Sequence, residues 1–96
     1  MLACTVDGRA LVVCRTREGV FAVDDFCTHA FARMSEGRLR GMRLICTLHG
    51  AGFGVRDGRV LAGPATQPLA THFARVVGDR VEVALDPAAP PQPEPL

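Results

Sequence analysis

Cys27-x-His29 and Cys46-x-x-His49 place two of the four cysteines and two of the three histidines of this 96-residue chain within residues 27–50, with sixteen residues between the pairs. Each short segment offers one thiol and one imidazole, the side chains that bind transition metals through sulfur and nitrogen. If the four donors act together, the fold must present residues 27–29 and 46–49 as two loops facing one centre. A zinc site, an iron–sulfur site, a disulfide or coincidence would each account for the clustering.

The surrounding sequence reads as short strands. Asp-Gly occurs at 7–8 and 57–58, Glu-Gly at 18–19 and 36–37, and Gly-Asp at 78–79. Between these turn signals lie runs rich in Val, Leu, Ile and Phe. "ALVVCRT" and "VFAVD" flank Glu18-Gly19 and predict a hairpin. "LATHFARVV" and "RVEVAL" predict another across Gly78-Asp79, with Val81, Val83 and Leu85 sharing one face. No segment holds a helical period over three turns. The expectation is an all-β sandwich or barrel. "VFAVDDF" leads into Cys27 and "MRLI" into Cys46, so both Cys/His pairs fall in loops between strands.

The chain is long enough for one domain with a modest core, for which a metal that ties loops together would add stability. The formal charge is +1, and all eleven basic residues are Arg. That balance excludes nucleic-acid binding by bulk electrostatics. The longest apolar run, Ala10 to Cys14, is too short to cross a bilayer, and the N-terminus has no basic-then-apolar secretory pattern. A soluble cytoplasmic protein is expected, and there four cysteines point to metal binding or thiols rather than disulfides. Residues 1–85 read as the folded domain. The proline-rich segment 86–96 reads as a disordered, solvated tail.

Zinc sites tend to group cysteines in one loop and histidines in another. Here each loop mixes the two. One thiol and one imidazole per loop suits a pair of irons, one holding both sulfurs and the other both nitrogens.

That pattern is similar to the Rieske motif, and the similarity extends beyond the ligands. "MSEG" at 34–37 resembles the family's segment between the two loops. "CTLHGAGFGVRDGRVLAGPATQPLATHFARVVGDRVEVAL" resembles the second half of a Rieske ferredoxin, with "GPA" at 63–65 as the proline-bearing loop over the cluster. The resemblance covers roughly residues 7 to 85. It implies an all-β Rieske iron–sulfur domain of small antiparallel sheets with a two-loop cluster-binding subdomain. It implies one [2Fe–2S] cluster per chain, with Cys27 and Cys46 on one iron and His29 and His49 on the other.

Among Rieske proteins the chain looks like the ferredoxins of bacterial aromatic-ring oxygenases. A monomeric electron carrier, not itself an enzyme, is therefore expected. Its transient partners would be a flavoprotein ferredoxin reductase and a Rieske-type terminal oxygenase, with no nucleic acid and no membrane. A small Rieske subunit of a nitrite reductase-like complex and a structural zinc module are the alternatives. Ala32 and Leu48 occupy the positions where the membrane cytochrome-complex branch joins its loops by a disulfide. Ala51 stands where a Ser would bond a cluster sulfur. The resemblance thus implies a potential in the lower part of the range of roughly −150 to +300 mV. Thr47 replaces a usual Pro, Gly54 replaces a usual Asp, and the segment before Asp7-Gly8 is about one strand shorter than the resemblance implies, so that either the start is truncated or misassigned or a sheet edge is left open. Phe31, Met34, Leu48 and Pro64 are expected as an apolar collar. Arg33, Arg38, Arg40 and Arg43 are expected as a basic surface. Cys4, Cys14 and His72 are assigned no ligand role.

Overall fold

The structure, a computed structural model, describes residues 1–29, 32–48 and 50–92. Among these residues nine strands form two antiparallel sheets, as the turn-dense sequence implies. The larger sheet has the order β1-β2-β3-β8-β9, built from β1 (Leu2–Val6), β2 (Arg9–Thr16), β3 (Gly19–Asp24), β8 (Thr71–Val77) and β9 (Arg80–Ala84). The smaller has the order β4-β5-β6-β7, built from β4 (Arg38–Arg40), β5 (Arg43–Ile45), β6 (Gly52–Gly54) and β7 (Val60–Ala62). A 3-10 turn, Met34–Glu36, precedes β4.

Turn chemistry sets the hairpins. Asp7 and Gly8 both have positive φ (49° and 81°) and join β1 to β2 as a two-residue turn, with Val6 opposite Arg9. Such a turn matches the twist of the strands it connects. The β2–β3 hairpin pairs Thr16 with Gly19, and the β8–β9 hairpin pairs Val77 with Arg80. β2 lies inside the sheet between β1 and β3, and its apolar run is buried on both faces, with Leu11 on one and Val12 and Cys14 on the other.

The core lies between the sheets. Val12, Cys14 and Val23 from the larger sheet meet Leu44 and Phe53 from the smaller, with Met34, Val55, Ala65 and Leu69 filling the connections. The strands of the smaller sheet have only three residues each. Few ladder bonds hold them, so this packing supplies much of what orders them.

The expected apolar face of β9 is covered only in part. Val83 and Leu85 are half-buried, while Val81 is exposed, as are Phe73 and Val76 on β8. The cause is the neighbour: β3 pairs with β8 only at Ala22–His72 and Val23–Thr71, so the rest of the β8–β9 hairpin extends past it. β1 and β9 form the two edges of the larger sheet. Beyond β9, the Asp86 amide donates to His72 Nδ1 at 3.1 Å. Gln92 brackets the Ala10 backbone: its Oε1 accepts the amide at 3.0 Å and its Nε2 donates to the carbonyl at 2.6 Å. Residues 93–96 lie outside the described residues.

No two of the four cysteines are joined by a disulfide. Burial pushes the Cys14 thiol up to about 11, and Cys4 is also raised, again mainly by burial. The thiolate is the reactive form. A thiol of pKa about 11 is roughly 1% ionised at pH 9, so Cys14 should resist iodoacetamide in the native protein at pH 8–9 and react only as pH approaches 11. Mass spectrometry of the alkylated peptides checks this, and labelling of Cys14 at pH 8 at the rate of an unfolded thiol contradicts it.

Gly37 ends the 3-10 turn, with its amide bonded to the Met34 carbonyl at 2.9 Å. A Cβ there would collide with the Ile45 carbonyl oxygen, directly before Cys46. Gly37→Ala should destabilise the protein by about 1–3 kcal/mol, the usual cost of overpacking. Denaturant unfolding against wild type measures it, and an unchanged midpoint would show that β5 yields freely.

Candidate metal centre

The two Cys/His loops close in the same way. Phe26 bridges Arg33, and inside that bridge the Cys27 amide donates to the Ala32 carbonyl at 2.9 Å. Ile45 pairs with Gly52, and inside that pair the Cys46 amide donates to the Ala51 carbonyl at 2.8 Å. Each cysteine thus heads a loop that its own backbone shuts five residues downstream. Gly50, with φ 71°, supplies a left-handed residue near the end of the second loop. Both cysteines are buried, whereas His29 is half-buried.

The closures converge. Cys27 Sγ, Cys46 Sγ and a ring nitrogen of His29 all lie within 4.8 Å of one another. Cys27 Sγ and His29 Nδ1 are 2.7 Å apart. The Leu48 amide donates to Cys46 Sγ at 3.4 Å. Three of the four donors expected from sequence are therefore gathered, from both loops. His49, the fourth, lies outside the described residues. Two thiols that adjoin the apolar core and an imidazole at this spacing fit a metal centre that takes sulfur and nitrogen together.

Neighbouring residues hold the loops in place. Thr28 Oγ1 donates to the Gln67 carbonyl at 2.6 Å, tying the first loop to the segment that follows Gly63-Pro64-Ala65. Asp25 is fully buried; its Oδ1 accepts the Ser35 amide at 2.6 Å and its Oδ2 the Ser35 hydroxyl at 2.7 Å. Arg33 lies over the Phe26 ring, 4.9 Å from its centroid, and reaches Asp25 Oδ2 at 3.4 Å.

Asp24 accepts two bonds from Arg9, Nε to Oδ1 and a terminal nitrogen to Oδ2, each 2.8 Å, and His72 Nε2 lies 2.8 Å from Oδ1. His72 Nδ1 already accepts the Asp86 amide, so Nε2 carries the proton and donates to Asp24. This network joins β2, β3, β8 and the segment after β9. His72, given no ligand role from sequence, is buried in this network.

Of the expected collar, Met34 is fully buried in the core, Leu48 and Pro64 are exposed, and Phe31 lies outside the described residues. Met34 thus supports the loop from beneath. Arg38, Arg40 and Arg43 are exposed, and Arg40 stands directly opposite Arg43 in the ladder.

Sequence reasoning did not single out Asp24, Asp25, Ser35 or Gly37. One signal was available. Two carboxylates leaving an apolar strand beside a ligand cysteine must each find buried partners.

Comparison with known proteins agrees with this geometry. The family described as "Rieske [2Fe-2S] domain" matches residues 1–73. The ferredoxin component of the naphthalene 1,2-dioxygenase system of Pseudomonas aeruginosa is 39% identical over 85 residues, 88% of this chain and 82% of that protein. The solved ferredoxin of carbazole 1,9a-dioxygenase from Nocardioides aromaticivorans IC177 superposes with TM-score 0.84 at 31% identity, covering 88% of this chain and 84% of that one. A solved complex of reduced oxygenase and oxidized ferredoxin in carbazole 1,9a-dioxygenase matches with TM-score 0.79 at 36% identity, covering 84% and 83%. With two sheets, two matched ligand loops and this family match over most of its length, the chain belongs to the Rieske [2Fe-2S] domain family.

Proposed function

We propose that this protein is a Rieske ferredoxin, a one-electron carrier that passes electrons from a flavoprotein reductase to a terminal aromatic-ring oxygenase. The observation that carries the reading is the convergence of Cys27, His29 and Cys46 from two loops of one construction. The relatives' description as ferredoxin components of dioxygenase systems supports it. The [2Fe–2S] cluster of such a domain supplies reversible one-electron chemistry.

In this reading Cys27 and Cys46 hold one iron through their thiolates. His29 and His49 hold the other. Burial of both cysteines keeps water from the sulfur side. His29 is half-buried, so the imidazole side is where a partner approaches. Histidines in place of two thiolates leave the centre less negative, which eases its reduction. Among the described residues one amide, that of Leu48, donates to Cys46 Sγ, and Ala51 offers no hydroxyl. The missing hydroxyl favours a low potential within the Rieske range. Reductase and oxygenase dock in turn on a monomeric carrier in the cytoplasm. No helix among the described residues is long and apolar enough to cross a membrane.

Redox titration of the purified protein followed by visible absorption tests the proposal. The expected result is a coloured protein with one reversible one-electron transition at a midpoint below zero. A colourless protein, or a midpoint well above zero, overturns the carrier reading or its low-potential form respectively.

A further inference from the structure

Two consecutive carboxylates leave β3 just before the first ligand loop, and their charges are compensated unequally. Asp24 receives two bonds of 2.8 Å from the Arg9 guanidinium, largely out of water, together with the His72 bond. Its negative charge is matched at contact range. Asp25 is fully buried and takes both oxygens to Ser35, a neutral residue. Its one cation among the described residues is Arg33, at 3.4 Å, with a side chain 49% exposed. A guanidinium half in water compensates a buried carboxylate only in part. A net negative charge therefore remains inside the fold, two residues before Cys27.

The same residue shapes the loop. The Asp25 carbonyl accepts the Met34 amide at 2.7 Å, and its carboxylate grips the backbone and side chain of Ser35. Residues 25 and 33–35 thereby clasp the base of the loop that carries Cys27 and His29.

We propose that Asp25 is a positioning residue that fixes the first ligand loop and, through its buried charge, lowers the reduction potential of the cluster held there. The inference rests on the reading of the two loops as a Rieske site. A negative charge close to a redox centre in a poorly polarisable interior disfavours the arrival of an electron.

The test compares midpoint potentials of cluster-bearing wild type, Asp25→Asn and Ser35→Ala, with visible spectra confirming that the cluster is retained. Asp25→Asn keeps the shape and an acceptor for the Ser35 amide but removes the charge, and its midpoint should move upward. Ser35→Ala keeps the carboxylate and removes one donor that disperses its charge, and its midpoint should move downward. A residue that merely holds the loop would move neither in this opposed way. If Asp25→Asn does not retain the cluster, the direction of the Ser35→Ala shift decides. Midpoints equal to that of wild type, or Ser35→Ala shifting upward, overturn the role of Asp25 alone. A wild-type protein without a cluster overturns the carrier reading and this inference with it.

Discussion

Two backbone hydrogen bonds, Cys27 to Ala32 and Cys46 to Ala51, set the geometry on which the rest depends. Each turns a strand end into a closed loop with a cysteine at its head. The smaller sheet is too short to impose this through its ladder, since β5 and β6 share three residue pairs. Order comes from behind, where Leu44 and Phe53 pack against the larger sheet and Met34 fills the space under the first loop. Gly37 lets the end of that first loop lie against the Ile45 carbonyl. The two loops are thereby held side by side by the protein's own backbone bonds and packing.

The second layer is electrostatic. A chain of net charge +1 buries two adjacent carboxylates beside its ligand loops. One is matched in charge by Arg9, accepts a hydrogen bond from His72, and fastens the strands of the larger sheet. The other grips Ser35 and keeps much of its charge. The arginines of the smaller sheet stay outside, at Arg38, Arg40 and Arg43, with Arg56 paired to Glu18 across to the β2–β3 turn. Negative charge lies within the fold near the first loop, and positive charge on the surface of the smaller sheet, whose β5 and β6 carry the second loop. An electron carrier that docks briefly needs both kinds of control: an internal field that tunes the centre and an external one that orients encounters.

Much of this was legible in the sequence because it is local. The Cys/His spacing marked both loops, and Asp7-Gly8 and Gly78-Asp79 marked hairpin turns from residue type alone. What escaped depends on contacts between distant residues. The alternation of Val81, Val83 and Leu85 identified a strand but not its cover, because that is set by where β3 stops pairing with β8. Asp24 finds Arg9 fifteen positions away and His72 forty-eight away. No pattern around "VFAVDDF" names those partners, although the need for them was readable. Met34 was expected at the rim of the site and lies beneath it, since an apolar side chain at the end of a loop can fill either place.

The account stands or falls on one centre that takes both sulfur and nitrogen from these loops. Pulsed EPR of the dithionite-reduced protein measures that directly. The prediction is a paramagnetic iron pair coupled to the nitrogens of two imidazoles, with the coupling to one of them lost or altered in His29→Cys. A reduced protein that is EPR-silent, or an iron signal without nitrogen coupling, would contradict it.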